Sequence, residues 1–303
     1  MANDWQLKGL SEYFHDLENS LMLDWDRVAS IIEGQEGADL SKSWTQAASF
    51  WMVKLADEQE GNLCVFETEN LIVMSPTIGE NGENQKRLAK NLERALGAVI
   101  AYLGSVAESV RYGKMGVLVF TNPYSYANYI AEFYPEGSVV PMSGGMCITE
   151  GYVHVALYED EWGDLLSVFS HEASHAYVSH LTLPAWMDEA IAMRMETLVT
   201  GREEYHLDRE LFDRHQELWN WENLEKFKSG ESWSIAGDFF ELSYQLAEIL
   251  WKKIETNLNA QASEIQELIK TASWEDAGES ALQSVFGIGL DDLIRSFLGD
   301  SIQ

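Results

Sequence analysis

His171-Glu172-Ala173-Ser174-His175, followed after eight intervening residues by Pro184-Ala185-Trp186-Met187-Asp188-Glu189-Ala190-Ile191-Ala192, reads as two successive helices, the first carrying an HExxH pattern. A helix turns once in about 3.6 residues, so His171 and His175 stack on one face and can reach a single metal ion. Glu172 sits one step round, placed to take a proton from water at that metal. With seven histidines in 303 residues, chance alone gives this pattern in about two such sequences per hundred. The motif therefore needs support from its surroundings.

Advancing about 100° per residue from Trp162 puts Leu166, Phe169, Ala173, Ala176 and Tyr177 on one stripe. The two histidines fall on the opposite side. The helix can thus bury its apolar face and present both imidazoles to a cleft. His180 falls on the apolar stripe, as a structural or end-of-helix residue. A catalytic zinc usually has three protein ligands and one open position. On the next helix, started by Pro184, apolar residues including Trp186, Met187, Ala190, Ile191, Met193 and Met195 surround most of the circumference, and Glu189 lies among them. A buried carboxylate is costly unless paired or metal-bound. Glu189 is therefore either the third ligand or the partner of an arginine such as Arg194 or Arg202.

The composition, 46% apolar with no run near the length of a membrane span, predicts a folded protein with a substantial core. The start of the chain has no basic stretch followed by an apolar one, the pattern of an export signal. Cys64 and Cys147 are far apart and form no CxxC pair, so a cytoplasmic protein without a disulfide framework is expected. A net charge of −30 repels phosphate backbones and anionic lipid surfaces, arguing against nucleic-acid and membrane partners. Its plain meaning is a heavily solvated surface; attraction of basic substrates is the sharper one.

Along the chain, residues 1–60 read as an N-terminal helical segment of two or three helices, with tryptophans in packing roles. Residues 61–158 read as a sheet lobe. A hairpin over Leu63–Phe66 and Leu71–Met74 and a turn at Gly79–Gly82 precede a long helix from about Asn84 to Arg111. A buried strand over Gly116–Phe120 follows, then a helix from about Ser125 to Phe133 started by Asn122-Pro123. After a loop with Pro135, Gly137 and Pro141, Gly144–Ile148 leads to a strand over Tyr152–Leu157. Residues 159–303 read as a helical lobe, almost wholly helical from Trp162. The fold class is α+β, a mixed sheet with helices followed by a mainly helical lobe.

HEASH with LPAWMDEAIA resembles the gluzincin metallopeptidases, in particular the compact peptidase-MA-like group and more distantly the M1 aminopeptidases. The likeness covers roughly residues 60–255 and rests on the HExxH and the downstream W-x-x-E-G-x-A pattern. Thirteen residues separate His175 from Glu189, a shorter connection than in the M1 type, and Ala190 stands where the family has glycine. The resemblance implies a zinc site in a cleft between the two lobes, held by His171, His175 and Glu189, with Glu172 as general base for hydrolysis of a peptide or protein substrate. It also implies an edge strand around Gly145–Leu157 with which substrates pair.

The family's oxyanion donor is a tyrosine on a later helix. Phe240-Glu241-Leu242-Ser243-Tyr244 resembles that helix, but Phe240 occupies the tyrosine position and cannot donate. Tyr244, one turn on, is the substitute if the helix is shifted, or else a packing residue. Other candidate donors are Tyr205, His206, Arg209, Arg214 and His215. Cys147 is expected as a small buried side chain. Asp164, Asp188 and Glu196 are candidates to orient the ligating imidazoles. The expected activity is zinc-dependent peptide hydrolysis. The alternative is a protein that keeps the fold and the zinc but hydrolyses little, acting through a regulatory partner left open.

Overall fold

A computed structural model describes residues 10–12, 14–16, 21–32, 37–58, 63–77, 82–107, 113–134, 143–159, 164–202 and 206–299. Within these lie seven strands and twelve α-helices, so the protein is α+β and mostly helical. The expected residues Gly79–Asn81, Arg111, Pro135, Gly137, Pro141, Trp162 and Tyr205 lie outside the described residues. The chain divides into two compact units, Met1–Gly97 with Ser109–Tyr177, and Ala98–Glu108 with Val178–Gln303.

In the first unit, β1 (Phe14–Asp16) and β2 (Leu21–Leu23) form a short antiparallel ladder, followed by α1 (Trp25–Ile32) and α2 (Gly37–Glu58). Among the described residues of this segment two helices are present, in keeping with the two or three expected, but part of the stretch read as helical, around Leu21, is strand. The ladder is an addition that three-residue strands are too short to announce by alternation. The described tryptophans of this segment do pack: Trp51 is fully buried and donates its ring N–H to the Leu21 carbonyl at 3.0 Å. Trp25 stacks on Tyr152 with ring centroids 5.1 Å apart.

β3 (Leu63–Glu67) and β4 (Leu71–Pro76) form the expected antiparallel hairpin. β5 (Met115–Phe120), β6 (Gly145–Ile148) and β7 (His154–Tyr158) complete a mixed five-stranded sheet in the order β3-β4-β5-β7-β6. β4 runs parallel to β5, and β5 parallel to β7, while β6 is an antiparallel edge. The parallel centre needs both faces covered, and every residue of β5 is buried. The crossovers are α3 (Glu83–Leu103) and α4 (Pro123–Ala131). α3 stops short of Arg111 because Gly104 takes a positive φ of 55°, and a single 3-10 turn follows. α4 starts as predicted: Asn122 caps it by accepting from the N–H groups of Tyr124 and Ser125, with Pro123 in the first turn.

After β7 every described regular element is a helix. α5 (Leu165–Val178) carries HEASH. α6 (Ala185–Thr200) starts one residue after Pro184, whose carbonyl accepts from the N–H groups of Met187 and Asp188, and ends at Gly201 in the left-handed conformation. α7 (Arg209–Leu218), α8 (Trp221–Ser229), α9 (Asp238–Thr256), α10 (Ala262–Thr271), α11 (Glu279–Phe286) and α12 (Leu290–Leu298) complete the second unit. There α6 packs against α9, and Trp186 is anchored by its ring N–H to the Ala277 carbonyl at 2.9 Å. Arg194 of α6 pairs with Glu255 of α9 at 2.9 Å. Tyr102 donates to the same carboxylate at 2.7 Å and accepts from the Trp251 ring N–H at 2.7 Å. No helix among the described residues is long and apolar enough to cross a membrane.

Candidate metal centre

α5 buries most of the stripe its sequence predicts, with Leu166 only half-buried and Ser170 and Ser174, off that stripe, buried as well. Phe169 and Ala173 are fully buried, Ala176 and Tyr177 nearly so, while His171 and His175 remain half-buried. The two imidazoles lie edge to face with centroids 4.9 Å apart. Both rings thus remain partly accessible to solvent. His180 lies past the end of α5.

Glu189 is half-buried on α6, with its Oε2 shielded from solvent. One donor atom from each of His171, His175 and Glu189 can be chosen so that all lie within 4.8 Å of one another. Among the described residues no other trio of His, Cys, Asp or Glu does so. Two imidazoles and a carboxylate are a donor set that zinc accepts. Arg194, a candidate partner for Glu189, is instead engaged by Glu255, and Arg202 is exposed.

Glu172 is 9% exposed, and the edge strand explains how it is covered. A Cβ on Gly145 would stand 2.8 Å from Glu172 Cγ and 2.5 Å from Val168 Cγ1. Only a glycine lets β6 lie this close to α5. Tyr126 and Tyr134 also feel this carboxylate. Burial, opposed by the Ser143 hydrogen bond and reinforced by the Glu172 charge, pushes the Tyr126 phenol up to about 12. Burial and the Glu172 charge also raise Tyr134. Neither tyrosine stands out in the sequence as a site residue, where the one signal is Gly144-Gly145 opening a strand.

The candidate donors in the second unit have other engagements. Phe240 is 44% exposed. Tyr244 is half-buried, its ring edge-on to Phe240 at 5.2 Å and to Trp233 at 6.2 Å. Arg214 is held by Asp238 at 2.8 Å and Glu241 at 3.0 Å, and Arg209 by Asp213 at 2.9 Å. His215 is buried and accepts from the Trp219 ring N–H at 3.0 Å. His206 is exposed. Asp164 caps α5, its carboxylate accepting from the N–H groups of Leu166 at 3.2 Å and Ser167 at 3.4 Å. Asp188 and Glu196 are half-buried on α6. Cys147 is a half-buried thiol on β6, outside any disulfide.

A scan against protein-family models gives no match, and a search of curated proteins gives none either.

Proposed function

We propose that the protein is a zinc-dependent metallopeptidase of gluzincin-like fold, with His171, His175 and Glu189 as metal ligands. The observation that carries this reading is the grouping of those three donor atoms within 4.8 Å, with the carboxylate Glu172 adjacent in sequence to His171. Bound zinc would polarise the scissile carbonyl and make water acidic enough to lose a proton near neutral pH. Glu172, lying against Gly145 of the edge strand, takes the proton from the attacking water on its carboxylate and returns it to the leaving amine. Tyr244 is the candidate donor to the developing oxyanion from α9. Cys64 and Cys147, both thiols rather than halves of a disulfide, suit the reducing cytoplasm to which we assign the protein.

Metal analysis and peptide hydrolysis in the wild type and Glu172→Gln test the assignment. The expectation is one zinc per chain in both proteins, with hydrolysis reduced by about 10² to 10⁴ in the variant. Hydrolysis by metal-free protein, or full activity in the variant, overturns it. A second reading, a zinc-binding protein that hydrolyses little and acts as a regulatory module, is favoured by Phe240 at the family's tyrosine position. A broad peptide library left intact by the zinc-loaded wild type would support that reading.

A further inference from the structure

We propose that Tyr126, Ser143 and Gly145 form a positioning chain, rooted in the core of the sheet, that sets where the Glu172 side chain stands. The inference rests on Glu172 being the general base. Each link is a direct contact within the first unit.

The direction of the hydrogen bonds follows from counting protons. Ser143 has one hydroxyl proton and gives it to the Gly145 carbonyl at 2.7 Å. In its 3.0 Å contact with Tyr126, Ser143 must therefore accept, and the phenol donates. Tyr126 is well placed as the fixed end. It is fully buried on α4, edge-on to Phe120 and stacked on Tyr158. With its phenol raised to about 12, it stays protonated, and so a donor, at any pH near neutral.

At the other end the backbone is held from two sides. The Gly144 carbonyl accepts from the Tyr158 N–H at 2.8 Å, and the Gly145 carbonyl from Ser143. Met146 and Ile148 turn toward the core of the first unit, so Gly145 faces the other way by strand alternation, against Val168 and Glu172. A Cβ there would be 3.2 Å from Glu172 Oε1 as well as 2.8 Å from Cγ. Gly145 does not have a positive φ. The demand for glycine here is one of space, and the space is bounded by the base. A pinned strand flush against a carboxylate limits the positions that carboxylate can take. A general base has to be held within about 0.5 Å of its working position.

The test uses the full-length protein as Tyr126→Phe, Ser143→Ala, Ser143→Thr and Gly145→Ala, with zinc content, steady-state kinetics and crystal structures. Tyr126→Phe keeps the ring and its packing, so a folded protein is expected. Tyr126→Phe and Ser143→Ala should keep full zinc and lower kcat roughly 10-fold to 100-fold with KM within about twofold. Ser143→Thr, which keeps the hydroxyl, should recover most of the loss, and Gly145→Ala should do worse than either. Wild-type kcat in zinc-loaded Ser143→Ala overturns the positioning chain and leaves the peptidase assignment standing. If the wild type itself hydrolyses nothing, the assignment fails, and the crystal structures then decide. Displacement of the Glu172 carboxylate relative to Gly145 in Ser143→Ala supports the chain, and an unchanged separation overturns it.

Discussion

Two pairs of histidines in this protein contrast. His154 and His215 are wholly buried, and each is held in a hydrogen bond. His154 donates from Nδ1 to the Tyr152 carbonyl at 2.6 Å, which leaves Nε2 to accept from Tyr129 at 2.6 Å. Burial lowers both histidines to about 4, so each is a neutral structural group. His171 and His175 are half-buried and stand one helical turn apart beside a carboxylate oxygen of Glu189. What separates the proposed metal ligands from the core histidines is partial exposure together with other donor atoms within 4.8 Å.

The largest effect expected from this contrast concerns metal. His175→Ala should lower zinc affinity by at least about 100-fold and abolish hydrolysis, while His154→Phe should keep one zinc per chain. Equal metal loss in both, measured on folded protein, erases the distinction.

Next in size is a pH effect confined to the buried pair. With a folded pKa of about 4 against about 6.5 unfolded, the unfolded chain binds more protons between these values. The stability linked to His154 is therefore fully present above about pH 6.5 and is lost as pH falls toward 4, to an extent on the order of 3 kcal/mol. Acid also relieves the repulsion of a −30 net charge, which works in the opposite direction. The difference in urea-unfolding free energy between wild type and His154→Phe isolates the histidine. It should shrink or reverse in favour of the variant between pH 7 and 5; a difference independent of pH contradicts the neutral-histidine account. At pH 7.5 the same variant should be less stable by about 2 kcal/mol, because it leaves the Tyr152 carbonyl and the Tyr129 hydroxyl without their partner.

The smallest effect concerns the donor on α9. Tyr244→Phe should reduce kcat by about 10-fold if its hydroxyl serves the oxyanion, and by less than about twofold if the ring only packs against Phe240 and Trp233.

Local features were legible in the sequence. The phase of α5, the Asn122-Pro123 start of α4 and the β3-β4 hairpin all follow from periodicity and capping chemistry within a few residues of chain. The grouping of His171 with His175 is of the same local kind. The order β3-β4-β5-β7-β6 was not legible, since no residue in β5 states which strand lies beside it. Asp164 shows the limit for single residues. The sequence reads it as an orienting partner for the imidazoles, whereas its carboxylate lies over the first turn of α5 and accepts from the N–H groups of Leu166 and Ser167. Tyr126 and Ser143 are 17 residues apart, a separation at which pattern says nothing.

The bond that Tyr102 makes with Glu255 and Trp251 bears on how this protein can be cut. The second unit takes in Ala98–Glu108 as well as Val178–Gln303, so it is not a contiguous piece of chain. A fragment beginning at Val178 would leave the Trp251 indole N–H without its acceptor and the Glu255 carboxylate with one donor fewer. A peptide spanning Ala98–Glu108, added in trans, is the missing part. Dissection at sequence boundaries would thus produce a half-built helical unit, whereas complementation by eleven residues would restore it.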